Sequence, residues 1–322
     1  MSEAIAVGID IGGTNVVAGF TTDNGKILQQ IHHPIKKFLT PDDLVKTFSA
    51  EILSHCKLNN WQLKGIGIGA PNGNFFNGTI EFAPNLPWKG IIPLTKMFAV
   101  ECITTAILTN DANAAAIGEM IFGAAKGLHD FIIITLGTGL GSGIVANGEL
   151  IYGHDGFAGE LGHTTAIRNG RLCGCGRKGC LETYASATGI VRTMKEWMSN
   201  GEETSLSKIP NEKITAWNVY EAAMQNDALA KKAFLFTAEI LGQTLADAVA
   251  YTSPSAIILF GGLAKSGDLL LQPLKHFMEE NLLQIYKNKV KILLSNLPES
   301  DAAVLGAAAL IWKESKNIFQ TI

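Results

Sequence analysis

The chain has 322 residues, 47% hydrophobic and 17% charged, with a net charge of −3. That length suggests two domains with a sizeable core, and the near-neutral charge supplies no electrostatic drive toward nucleic acid or an anionic membrane. The opening "MSEAIAVGIDIGG" lacks the basic-then-apolar pattern of a secretory leader, and apolar runs such as "FIIIT" fall short of the roughly 20 residues of a membrane span, so a cytoplasmic protein without nucleic-acid or membrane partners is expected.

In chain order, "IAVGID" at 5–10 reads as an apolar strand, Gly12 and Gly13 as a turn, and "NVVAGF" as the returning strand, with Asp10 at the tip of the hairpin. "GIGIGAP" at 65–71 is another strand, and "TNDANAAAIGEMIFG" an alanine-rich helix from about residue 111. There Asn110 or Asp111 is the natural N-cap, and an aspartate at a helix start is equally placed to abstract a proton. "FIIITLGTGLGSGIVANG" at 131–148 repeats the strand, glycine turn, strand design, and "AIILFGG" at 256–262 ends a third strand in glycines. Residues 199–212 are polar and read as a surface loop. Two helices follow at 214–225 and 228–251, and "AAVLGAAALIWKES" closes the chain as another. Strands alternating with helices indicate an α/β fold, and two similar hairpins suggest a duplication with one copy per domain. Glycine turns of this kind are ordinary hairpins or, through bare backbone N–H groups, nests for phosphate. No P-loop pattern occurs.

Residues 173–182, "CGCGRKGCLE", hold three of the five cysteines. An odd count in a large chain argues against a disulfide framework, and Cys56 and Cys102 read as small core residues. Cys173, Cys175 and Cys180 would supply three ligands of a closed tetrahedral zinc site. The fourth is expected from His163, with His154 the other histidine close upstream. Gly174, Gly176 and Gly179 match the dinucleotide fingerprint G-x-G-x-x-G, but they are interleaved with metal ligands rather than opening a helix after a strand, so that reading is discarded.

"DIGGT" at 10–14, "NDANAAAIGE" at 110–119, "LGTGLGSG" at 136–143, "GELGH" at 159–163 and the cysteine motif together resemble the ROK family of sugar kinases and sugar-responsive repressors, within the actin/hexokinase superfamily. The resemblance extends through "LFGG" and "GAAAL", covering essentially the whole chain. It implies two ribonuclease-H-like domains with an interdomain cleft: a small one of residues 1–118 plus about 300–322, and a large one of 119–299 carrying the zinc loop. It also implies ATP with its phosphates at Asp10, Gly12, Gly13, Thr14, Asn15, Gly137, Thr138 and Gly139, adenosine near Gly261 and Gly262, and Mg²⁺ held with help from Asp10. Sugar hydroxyls would meet Asn85, Asn110, Asp111, Glu160, His163 and Glu182. Asp111 would be the general base, kept ionised by its helix N-terminus, and the zinc would be structural, setting His163 and Glu182 toward the sugar.

The implied activity is ATP-dependent phosphorylation of a hexose. Within the family the motifs, with "PNLPW" at 84–88, are most similar to the glucokinase branch, which implies glucose as acceptor and a homodimer. The alternatives are N-acetylmannosamine or N-acetylglucosamine, fructose or mannose as substrate. A repressor would require a DNA-binding helix pair ahead of "DIGGT", where nine residues stand before Asp10. Two positions depart from the family pattern: Asn15 where lysine is frequent, and Pro71-Asn72 in place of Pro-Gly.

Overall fold

The computed structural model describes residues 2–320, the side chains of residues 299, 300 and 315–320 excepted. The fold is α/β, and the chain divides into two compact units. One takes in the chain up to Leu128, Gly148–Ala158 and the stretch from Ser295 onward; the other comprises His129–Asn147 and Gly159–Leu294. The boundary expected at residue 118 is therefore moved, because it falls inside a continuous helix running on to Phe122. Residues 148–158 also return to the first unit, where Asn74 Nδ2 donates to Asp155 O at 2.8 Å and the Phe75 and Tyr152 rings stack at 4.0 Å.

In the first unit, β1 (Glu3–Ile11), β2 (Asn15–Thr21) and β3 (Ile27–Pro34) form an antiparallel meander. Beside β1, β4 (Trp61–Gly69) and β5 (Ala106–Thr109) continue the sheet in parallel. The alternation of side chains along a strand explains the composition. Ile5, Val7 and Ile9 of β1 and Ile66 and Ile68 of β4 enter one core, where α1 (Pro41–Asn59) and α2 (Leu94–Cys102) contribute Phe48, Ile52 and Phe98. The residues between them, Ala6, Gly8, Gly65 and Gly67, are small and turn to the opposite face. The start of α1 is fixed by a capping box: Thr40 and Asp43 exchange side-chain-to-backbone bonds at 3.0 and 3.1 Å, with Pro41 in the first turn. α3 (Asp111–Phe122) follows β5 directly.

The second unit repeats the arrangement. β6 (Phe131–Leu136) and β7 (Leu140–Ala146) form the antiparallel hairpin, and β8 (Ala256–Phe260) and β9 (Lys291–Leu294) continue in parallel from β6. Its helices are α4 (Ala187–Ser199), α5 (Ala216–Met224), α6 (Ala228–Thr252) and α7 (Asp268–Asn281). Among the described residues α6 alone is long and apolar enough to span a membrane by length and composition, and 61% of that window is buried in the protein, with Phe234, Leu241 and Leu245 in the core. The stretch 199–212, expected as a surface loop, contains short 3₁₀ turns at Ser205–Lys208 and Asn211–Lys213 and buries Leu206.

α8 (Glu299–Gln320) belongs to the first unit and lies on the small-residue face of its sheet. Ala6, Ala308, Ile311 and Trp312 cluster there, and Trp312 Nε1 donates to Thr21 Oγ1 at 3.2 Å. α3 and α8 meet backbone to backbone: a Cβ on Gly118 would stand 2.8 Å from the Cα of Gly306.

Candidate active site

In the first unit, Asp10 is the penultimate residue of β1, opposite Val17 of β2 and Gly69 of β4. The turn beyond it is closed by Gly12 N donating to Asn15 O at 2.9 Å. Residue 15 thus holds the turn through its backbone, which leaves its side-chain identity open to change. Asn85 abuts this turn, its carbonyl oxygen 3.1 Å from where a Cβ on Gly13 would be. Asn72, the other departure, has φ 50° and donates Nδ2–H to Glu81 O at 2.9 Å. Asparagine is among the few side chains that tolerate this left-handed conformation, so the turn a glycine would make is kept.

Asn110 is the N-cap of α3, its Oδ1 accepting from Ala112 N and Asn113 N. Asp111 is the first helical residue. It is accessible to solvent and at the same time densely surrounded by protein, and that desolvation pushes its carboxyl above the ordinary aspartate value. The direction opposes the helix-dipole expectation: the bond from Ala112 N lowers the pKa, but burial is the larger effect. Asp10 is pushed up to about 6, first by burial and then by the like charge of Asp111. A site that crowds two carboxyls in this way suits a cation.

In the second unit, one loop carries the remaining charged candidates. Zinc bonds of about 2.3 Å to sulfur and 2.0 Å to nitrogen, arranged tetrahedrally, separate the ligand atoms by roughly 3.5–3.8 Å. Cys175 Sγ lies 3.7 Å from Cys180 Sγ, and His163 Nδ1 3.6 Å from Cys173 Sγ. All four ligand atoms fall within 4.8 Å of one another, so the donor set fits the ion. His154 is not part of the group. His163 turns Nδ1 to the cysteines and Nε2 toward Glu160, 4.0 Å from Oε2, which lets one imidazole face both the metal site and a ligand. Glu182 Oε1 stands 3.0 Å from Cys173 Sγ and 3.7 Å from His163 Nδ1.

The β6–β7 turn mirrors the first one. Gly137 N donates to Gly139 O at 3.1 Å, and Gly137 and Thr138 are exposed. A Cβ on Gly139 would lie 2.7 Å from Glu182 Oε2 and push that carboxylate back from the turn. Gly261, at φ 101°, ends β8 beside the carbonyl of Leu136, and Gly262 follows, exposed. Sequence reasoning missed a groove of about 520 Å³ running from Thr138 along α4 to the start of α5, lined by Thr188, Val191, Arg192, Lys195, Ile214 and Thr215 among others. Its one readable signal was Ser186, which caps α4 by accepting from Gly189 N at 3.0 Å.

Repeated strand order, paired glycine turns and an aspartate opening α3 define an α/β protein of the actin/hexokinase superfamily. Within it, the chain belongs to the ROK family, which matches residues 6–314. The glucokinase of Halalkalibacterium halodurans is 37% identical over 98% of this chain and 97% of its own length. The glucokinase of Thermotoga maritima is 33% identical over 97% of this chain and 98% of its own. Among solved structures, a ROK family glucokinase from Streptomyces griseus in complex with glucose and AMPPNP superposes with a TM-score of 0.78 and 34% identity, covering 95% of this chain and 98% of that one.

Proposed function

We propose that the chain transfers the γ-phosphoryl group of ATP to the 6-hydroxyl of glucose, giving glucose 6-phosphate and ADP. The observation that carries this reading is Asp111: a solvent-accessible carboxylate at the head of α3, relieved of capping by Asn110 and raised in basicity by the protein around it. The similarity to glucokinases over nearly the full length supports the same reading.

In the mechanism, Asp111 takes the 6-hydroxyl proton as the oxygen bonds to the γ-phosphorus and the bond to the β-phosphate oxygen breaks. A carboxylate with a raised pKa is the better base for a weakly acidic alcohol, provided it stays ionised at working pH. Asn85, Asn110, Glu160, His163 and Glu182 orient the sugar by hydrogen bonds. The backbone amides of Gly13–Asn15 and Thr138–Gly139, in turns closed by Gly12 N and Gly137 N, receive the phosphates, while the groove along α4, with Gly261 and Gly262, takes the adenosine. Asp10 would help hold magnesium, which would neutralise charge on the phosphates. His163, Cys173, Cys175 and Cys180 would hold a structural zinc ion that stiffens the loop bearing Glu182. The enzyme acts as a cytoplasmic homodimer, a state that light scattering on the purified chain tests.

A coupled assay of ADP release across glucose, mannose, fructose, N-acetylglucosamine and N-acetylmannosamine tests the reading. Glucose is expected to give the highest kcat/KM. Preference for an N-acylated hexosamine would replace glucose as the substrate, and absence of hexose-dependent ADP release would overturn the proposal.

A further inference from the structure

Two residues before the first cysteine of the zinc loop stands an arginine that none of the assigned roles uses. Arg171 has only 8% of its side chain exposed, and all five guanidinium N–H groups have partners. Nε and Nη2 form a fork on the Glu196 carboxylate, donating to Oε1 at 3.1 Å and to Oε2 at 2.6 Å. Nη1 donates to Thr183 O at 2.7 Å and to Gly189 O at 3.3 Å, and Nη2 also donates to Thr193 Oγ1 at 2.9 Å. The guanidinium lies 4.4 Å over the Tyr184 ring, whose hydroxyl accepts from Arg171 N at 2.8 Å. A buried arginine with every donor matched is a rigid joint, and its planar fork has no equivalent in lysine.

What it joins is informative. Thr183 directly follows Glu182, whose own carbonyl accepts from Ser186 Oγ at 2.7 Å. Gly189, Thr193 and Glu196 recur at helical spacing on one side of α4, while Thr188, Val191 and Lys195 on another side line the groove beside Thr138. Thr188 Oγ1 donates to Thr138 O at 2.7 Å, so α4 is also tied to the second glycine turn. The zinc motif fixes the loop at Cys173, Cys175 and Cys180; Arg171 fixes the same loop to the helix that walls the groove.

We infer that Arg171 is a positioning residue: through Thr183 and Glu196 it locks the Glu182 segment onto α4, so that the sugar-binding carboxylate and the nucleotide groove share one rigid frame. The inference rests on the glucose-kinase reading above, and it assigns the zinc only part of the task of holding Glu182.

The test uses the zinc-loaded enzyme with Arg171→Lys and, as an isosteric second variant, Glu196→Gln. Both are expected to raise the KM for glucose by about tenfold or more while the KM for ATP stays within about threefold, with one zinc per chain retained. The double variant is expected to be no worse than the weaker single one, because both remove the same joint. Hydrogen exchange gives a readout that needs no substrate: the amides of Thr183, Tyr184 and Ala185, bonded to Cys180 O and Leu181 O, should exchange faster in both variants. Unchanged glucose KM in both variants of an enzyme whose wild type is active overturns the inference, as does a rise in KM that appears only with loss of zinc. If the wild type makes no glucose 6-phosphate, the kinase reading falls and exchange decides alone: faster exchange supports the joint and unchanged protection overturns it.

Discussion

Asn110 and Asp111 divide between them two roles that one residue at a helix start often combines. Asn110 Oδ1 accepts from Ala112 N at 2.8 Å and Asn113 N at 3.2 Å, whereas Asp111 Oδ1 accepts from Ala112 N, a group Asn110 already satisfies, at 2.8 Å. Chemistry at Asp111 can therefore be removed without uncapping α3. In Asp111→Asn, kcat should fall by about 10²- to 10⁴-fold, the range of general-base assistance. Calorimetry should find glucose binding nearly normal, and thermal stability should not drop. A variant keeping more than about a tenth of wild-type kcat would show that Asp111 is not the base.

Asp10 makes stability depend on pH in a defined direction. Its folded pKa, about 6, is raised above the ordinary 3.8. Above pH 6 the group is ionised in both states and the folded protein bears the full cost of a buried charge beside Asp111. Below about pH 4 it is protonated in both states and the cost disappears. Asp10→Asn should thus stabilise the ligand-free protein by up to about 3 kcal/mol at pH 8. The gain should shrink as pH falls from 6 toward 4, and a Tm difference that is flat between pH 8 and pH 4.5 would contradict the assignment.

Elemental analysis should find one zinc per chain, and Cys175→Ala should abolish it. Structural zinc is worth on the order of 10 kcal/mol in small zinc modules, but here it governs a loop in a unit with its own core. The far-ultraviolet helical signal should therefore survive while glucose phosphorylation is lost. Full activity in metal-free protein would remove the structural role.

Asp227 fastens the 199–212 segment at Thr204 and Ser205. It caps α6 through Ala230 N at 2.9 Å and accepts from Thr204 Oγ1, Ser205 N and Ser205 Oγ at 2.7–2.8 Å. Those bonds outweigh burial and hold its pKa down at about 2. The stabilisation is present above the unfolded value near 3.8 and is lost as pH falls toward 2. Asp227→Ala should cost about 1–2 kcal/mol at neutral pH, allowing for its partial exposure. Urea denaturation at pH 7 and pH 2.5 should show the deficit shrinking at the lower pH.

Both hairpins, α3, α5, α6, α8 and the grouping of His163 with Cys173, Cys175 and Cys180 are legible because each carries a local signal: glycine turns, helical periodicity, cysteine spacing. α1, α2, α4 and α7 go unread, although Thr40-Pro41-Asp42-Asp43 is a readable capping box. The lost signals were long-range. That Glu182 reaches the Gly139 turn, or that Arg171 reaches Glu196 across 25 positions, depends on packing that no window of sequence contains. The direction of the Asp111 shift failed for the same reason, since a helix terminus is local and desolvation is not.

The small-residue face of the first sheet has a bearing on how the protein is made. Thr21 and Trp312, which bond across it, are 291 residues apart in the chain. While the ribosome is still adding the second unit, Ala6, Gly8 and Gly67 have nothing packed on them and the small-residue face of the nascent first unit stays uncovered. The second unit, nearly continuous in sequence, can collapse as soon as β9 emerges. Its counterpart must wait for α8, so a chain stalled before residue 299 would present a complete sheet with one bare face to chaperones and proteases.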